Sequence, residues 1–94
     1  EIVLKNTITG EISVLPCDGV FVGIGRQPAS GLVEGVLHLD SQNYIVADES
    51  TETNVAGVFA VGDVRTKALR QIVTAVADGA TAVHHAEEYL AKCG

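Results

Sequence analysis

The sequence predicts a small α/β fold, and three observations carry that reading. Short apolar runs rich in β-branched residues fill the chain up to Val61 and are separated by Gly, Asn, Asp and Ser. From about Leu69 to Lys92, apolar residues recur at intervals of three or four, the period of a helix with one buried face. Between the two patterns lies "GVFAVGD", residues 57 to 63, where an apolar strand stops at a glycine and a carboxylate.

Taken in order, Ile2-Val3-Leu4 and Ile12-Ser13-Val14-Leu15 flank "KNTITGE", whose Thr9-Gly10 supplies turn chemistry and predicts a β-hairpin. "DGVFVGIG", Asp18 to Gly25, is a continuous apolar run, which suits a strand covered on both faces as in a parallel sheet. The composition then shifts to Gly, Pro and Ser from Arg26 to Gly35, where Pro28 restrains Gln27 to extended geometry; this is the linker candidate. Val36 to Leu39 and Tyr44 to Ala47 flank "DSQN", residues that bond their own backbone, and predict a second hairpin. Polar "DESTETN" leads into the strand Val58 to Val61. In the closing helix Ile72, Val76, Ala80, Val83, Ala86 and Leu90 form the expected buried stripe, Val73 and Ala77 widen it, and Gly94 sits at the C-cap.

At 94 residues the chain suffices for one small domain, burying about 60–65% of the surface its unfolded form exposes. It begins at Glu1 within a strand-like run and contains no Met, so it reads as a piece of a longer protein. Twelve acidic and six basic residues give a formal charge of −6, and the few Lys and Arg form no basic stripe, which argues against nucleic-acid binding. No apolar segment approaches the roughly 18 residues a membrane span needs, and no basic-then-apolar N-terminus suggests a signal peptide. A cytoplasmic chain is expected. Cys17 and Cys93 then read as reduced thiols, with a bridge between them as the alternative. The apolar flank of "DGVFVGIG" and the Ala-rich helix face should be open in a chain of this size, which predicts a dimer or higher oligomer.

Ligands of open α/β folds bind beyond the carboxyl ends of strands, where loops meet helix N-termini. Gly62 would allow close approach to the backbone, and Asp63 could accept hydrogen bonds from ligand hydroxyls. The helix start at Arg70-Gln71-Ile72 offers unpaired N–H groups and about half a positive charge. By itself, Gly-Asp after a strand is also an ordinary turn. His84 and His85 are adjacent and so cannot face one ligand together, because helical zinc pairs are spaced i, i+4; Glu87 and Glu88 read as solvated surface. Arg70 is either a surface ion pair or a ligand contact. No metal site is expected.

"TNVAGVFAVGDV" (Thr53 to Val64) followed by "LRQIVTAVADGATAV" (Leu69 to Val83) resembles the C-terminal FAD-binding segment of the low-molecular-weight thioredoxin reductases. "DGVFVGIGRQP" (Asp18 to Pro28) resembles the end of their NADPH domain, so the likeness spans nearly the whole chain in order. The resemblance implies a two-dinucleotide-binding-domain (FAD/NAD(P)-binding) fold. Residues 1–26 would close the NADPH-binding domain, 27–35 would be the interdomain linker, and 36–94 would be the C-terminal part of the FAD-binding domain. It also implies that Asp63 holds the ribityl chain of FAD, with Gly62 and the Asp63 amide near the pyrophosphate. Arg70, Gln71 and Ile72 would lie against the isoalloxazine, the Gln71 and Ile72 amides facing its pyrimidine carbonyl.

The family's G-x-G-x-x-G unit for FAD, its NADPH-binding βαβ unit and its redox C-x-x-C are not among these residues, and neither cysteine matches the redox pair. The implied parent passes electrons from NADPH through FAD to a protein disulfide on a thioredoxin-like partner. This chain would supply one wall of the FAD site, complemented by an N-terminal portion of the same enzyme, and would be inactive and flavin-free alone. Two alternatives stay open: a ferredoxin or flavodoxin–NADP reductase of the thioredoxin-reductase type, and a stand-alone binding or assembly module.

Overall fold

A computed structural model describes residues 1–94. Strands β1 (Ile2–Lys5) and β2 (Ile12–Leu15) pair antiparallel with Ile2 opposite Leu15 and Lys5 opposite Ile12. The expected hairpin forms, and Asn6 organises its turn. The Asn6 side-chain oxygen accepts from the amides of Ile8 and Thr9 at 2.9 and 3.1 Å, while Gly10 takes the left-handed conformation at φ 75°.

Residues 18–25 do not form the expected strand. No backbone hydrogen bond involves them, and Phe21, Val22 and Ile24 are fully or largely exposed. β-Branched and aromatic content suits a pleated surface, but a strand also needs a neighbour to complete its ladder. Nothing in this chain lies beside the segment to do so. The hairpin therefore stands away from the rest, and the radius of gyration, 19.6 Å, far exceeds the about 12 Å of a compact domain of this length.

The core lies between residues 37 and 60, where Leu37, Ile45, Ala47 and Ala60 are buried together with Val33, Leu39, Val55 and Val64 packed against them. The second hairpin closes around Asp40, whose Oδ1 accepts from the amides of Gln42 and Tyr44, both at 2.9 Å. Leu39 and Ile45 pair across it as a single antiparallel bridge. Ile45 also bridges to Arg65 in parallel, donating to Val64 O at 2.9 Å and accepting from the Thr66 amide at 2.8 Å. The Val58 to Val61 run is anchored to residues 51–53 through a single bridge, Glu52 to Phe59, and leaves Val61 extended at φ −128°, ψ 152°. One-residue bridges replace longer ladders here because turns at Val55–Val58 and Gly62 interrupt the pairing within a few residues.

The chain ends in helix α1 (Ile72–Cys93), close to the segment that periodicity predicts, with Gln71 as N-cap and the Gly94 amide bonded to Leu90 O at 3.0 Å. Its buried face is not the predicted one, apart from Ala86. Ile72, Val76, Val83 and Leu90 are exposed, and Ala80 with them. The helix turns Ala75, Asp78, Gly79, Ala82, His85 and Ala86 towards the rest of the chain. Small side chains let it approach closely, and a buried carboxylate, not an apolar stripe, is the centre of that face.

Farther along, Tyr89 lies against Gly57, whose φ is 80°. A Cβ there would sit 2.8 Å from Tyr89 Cε1, so the conformation calls for glycine and the exposed Tyr89 ring would have to move aside for a side chain. Gly57→Ala should cost roughly 1–2 kcal/mol in backbone strain alone, with the ring clash added. In chemical unfolding the loss should be smaller in a Tyr89→Ala background, which removes the clash and keeps the strain; equal losses in both backgrounds would show that the ring is not the obstacle.

Candidate functional site

The turn after Val61 is a single 3-10 turn, Gly62–Val64, with Gly62 at φ 76°. In that left-handed conformation the Gly62 amide points inward, where it donates to Asp78 Oδ2 at 2.9 Å. A Cβ on Gly62 would meet only Ala75 Cβ at 3.6 Å, an ordinary contact, so the backbone conformation and not crowding calls for glycine.

Asp78 is the hub. Arg65 grips its carboxylate with two bonds, Nε to Oδ2 and Nη2 to Oδ1, each 2.8 Å, and Lys67 Nζ adds a third donor to Oδ2 at 2.8 Å. Arg65 is 1% exposed, yet all five of its guanidinium donors are matched, because Nη1 reaches Thr66 O at 2.7 Å and Ala47 O at 3.5 Å while Nη2 also reaches Glu49 at 3.3 Å. The bonds from Arg65 hold the Asp78 carboxyl far below the ordinary carboxylate range, against the opposing effect of burial, with Lys67 and the Gly62 amide helping. Asp78 in turn raises the Arg65 pKa.

A second strap lies outside the turn. Arg70 Nε donates to Asp63 O and Nη2 to Arg65 O, both at 3.1 Å, and its guanidinium stacks 3.7 Å from the centroid of the buried Tyr44 ring. Within this chain Arg70 forms no ion pair: its partners are two carbonyls and an aromatic face.

With the turn held on both sides, the Asp63 side chain is exposed and bonds to nothing in the chain. It lines an open cleft of about 480 Å³ with Tyr44, Val64 and Arg26 to Ala29. Helix α1 begins nearby. The Gln71 amide is satisfied by Thr74 Oγ1 at 3.0 Å, whereas the Ile72 and Val73 amides have no backbone acceptor. The cleft presents a free carboxylate, and the start of α1 supplies unpaired amides outside its lining; together these groups suit a polar ligand bearing hydroxyl and carbonyl groups.

Elsewhere, Cys17 and Cys93 are free thiols. His84 and His85 share one partner, Glu88, at 3.6 and 3.1 Å, so Glu88 is paired rather than simply solvated. Arg65, Lys67, Asp78 and Tyr44 escaped the sequence reading. An acidic residue set among alanines and glycine on one helix face, Ala75-Asp78-Gly79-Ala82, was the available signal for Asp78.

Residues 1–79 match the family model described as pyridine nucleotide-disulphide oxidoreductase. The chain belongs to that family. Among curated proteins, it is 53% identical to a thioredoxin reductase of Peptoclostridium litorale, over 94% of this chain and 30% of that protein. It is 47% identical to a thioredoxin reductase of Treponema pallidum (strain Nichols), over 96% and 29%. Among solved structures, a thioredoxin reductase from Streptococcus pyogenes superimposes with a TM-score of 0.77 at 40% identity, over 96% of this chain and 29% of the other. One from Lactococcus lactis does so with a TM-score of 0.75 at 40% identity, over 96% and 30%. The chain therefore spans about 30% of the length of these relatives and shares the FAD/NAD-binding fold of the region it matches.

The buried cluster makes this family member's stability sensitive to one carboxylate. Asp78→Ala leaves Arg65 and Lys67 buried without their counter-ion and should cost about 3–5 kcal/mol in urea unfolding; a loss below about 1 kcal/mol would mean that Glu49 and water suffice.

Acid should act through the same group. Because the folded carboxyl ionises below its ordinary value of 3.8, its contribution is complete above about pH 4 and is lost as pH falls from there through the lower folded-state value. The unfolding midpoint should therefore fall more steeply below pH 4 in the wild-type chain than in Asp78→Asn; parallel curves would place the acid sensitivity elsewhere.

Proposed function

We propose that this chain forms one wall of the FAD site of a flavoenzyme that passes electrons from NADPH through FAD to a protein disulfide, the activity named in its thioredoxin reductase relatives. The carrying observation is the exposed, unpartnered Asp63 carboxylate in a cleft of about 480 Å³, and the unpaired amides of Ile72 and Val73 at the start of α1 add donors outside the lining of that cleft. These residues fit the group. Asp63 would accept hydrogen bonds from the hydroxyls of the ribityl chain. Its amide, which has no acceptor in the chain, would face the pyrophosphate, and the amides at the α1 start would hold the electron-rich pyrimidine carbonyl. FAD, when bound, supplies the two-electron chemistry between NADPH and a disulfide.

Two details refine the roles implied by resemblance. Gly62 gives its amide to Asp78, so its part is conformational, and Gln71 gives its amide to Thr74, which leaves Ile72 as the donor of that pair. Arg70 braces the turn from outside and brings its guanidinium onto Tyr44 at the edge of the cleft. In this reading residues 1–26 belong to the NADPH-binding domain, 27–35 to the linker and 36–94 to the FAD-binding domain. The unbonded stretch between the hairpin and the core supports such a division. The rest of the FAD and NADPH sites comes from other residues of the same enzyme, so the 94 residues alone are inactive. The enzyme works in the cytoplasm on a thioredoxin-like protein, and the apolar faces that the 94 residues expose by themselves, among them Phe21, Ile24, Ile72 and Val76, favour association of this piece into a dimer or higher oligomer.

Asp63→Ala in the full-length protein should weaken FAD binding roughly tenfold to hundredfold, the equivalent of charge-assisted hydrogen bonds lost. Titration of the apoprotein with FAD, followed by flavin fluorescence, measures this. An unchanged dissociation constant, with flavin retained through gel filtration, would overturn the assignment.

A further inference from the structure

We infer that Asp78 is a positioning residue for the Asp63 carboxylate, an inference that rests on the reading of Asp63 as a ligand of FAD. Asp78 holds the chain on both sides of Asp63. It accepts from the Gly62 amide at 2.9 Å, immediately before Asp63, and takes the Arg65 fork with two bonds of 2.8 Å, just beyond the turn. Asp63 itself has no side-chain partner in the chain, so its direction is set by how its neighbours are anchored. Asp78 takes no part in lining the cleft that Asp63 lines and is 5% exposed, so it acts through the turn and not by contact with the ligand.

The charge is specific to that task. Oδ2 accepts from Gly62, Arg65 and Lys67 while Oδ1 accepts from Arg65, so every lone pair that faces the cluster meets a donor. An asparagine would point its own NH₂ at one of those donors in either orientation. The turn would lose the Gly62 anchor or the Arg65 anchor, and Asp63 would be free to swing. The anchor on the other side lies on a helix of 22 residues, which makes it rigid.

The test is a double-mutant cycle in the full-length protein, reading the FAD dissociation constant of the apoprotein by fluorescence titration and its thermal unfolding midpoint without FAD. Asp78→Asn should weaken FAD binding by roughly tenfold in the wild-type background and by less than about twofold in an Asp63→Ala background. Its effect on the unfolding midpoint should be the same in both. A merely structural Asp78 would weaken FAD binding equally in both backgrounds, which would overturn the inference, as would an unchanged dissociation constant in Asp78→Asn. If Asp63→Ala alone leaves FAD binding intact, it is the underlying ligand reading that fails, and the inference fails with it. Should Asp78→Asn not fold, Asp78→Glu keeps the charge but displaces the carboxylate by one methylene. The same cycle then applies, with the same non-additivity expected and additivity overturning it.

Discussion

The rest of the structure depends on the Arg65–Asp78 pair. It joins the long helix to the turn after Val61, and it does so where both partners are buried, at 1% and 5% exposure. Taking two charges out of water is costly, and a buried pair gains little over a well-packed apolar replacement. What such a pair enforces is a single arrangement. Arg65 has five donors in a fixed fork and finds five acceptors, two of them on Asp78, so a helix rotated or shifted by one residue would strand two of its donors together with those of Lys67 and the Gly62 amide. The pair acts as a registry pin for a helix whose apolar side chains point elsewhere.

That orientation explains the distribution of apolar surface. Residues that count as hydrophobic make up 47% of the chain, yet only ten residues of any kind are buried. The chain's own core comes from residues 37–60 with Val33 and Val64 packed against it, and the large apolar side chains on α1 and at 18–25 remain outside. An outward stripe of Ile72, Val76, Val83 and Leu90 and an inward face of alanines around a carboxylate are two uses of one helix. The inward face secures position, and the outward one offers area for association.

Local chemistry was legible in the sequence, while long-range pairing was not. The two turns, the helix with its Gly94 cap and the exposed Asp63 all follow from residues close together in the chain. The period of the helix was plain, but which of its two apolar-looking faces packs inward was decided by Arg65, thirteen residues before Asp78 and not marked by any local pattern. In the same way, "DGVFVGIG" has the composition of a buried strand, but composition states a capacity. Whether a strand forms depends on a hydrogen-bonding neighbour, and none lies beside it. The ion pair open to Arg70 in the sequence does not form, and its partners within the chain, two carbonyls and the Tyr44 ring, lie on segments whose proximity only the fold creates.

The glycine before Asp63 shows how these levels connect. Close approach by a ligand would be reason enough for a glycine at a strand end, but Gly62 has room for a Cβ, with only Ala75 at 3.6 Å. Its left-handed φ of 76° is the feature other residues resist, and that conformation turns its amide inward to Asp78. With the amide inward, the next residue presents its carboxylate to the cleft. Gly62 and Asp63 therefore work as one device whose ground is the buried carboxylate on α1. The acceptor that holds the glycine of this "GD" pair is Asp78, sixteen residues farther along the chain.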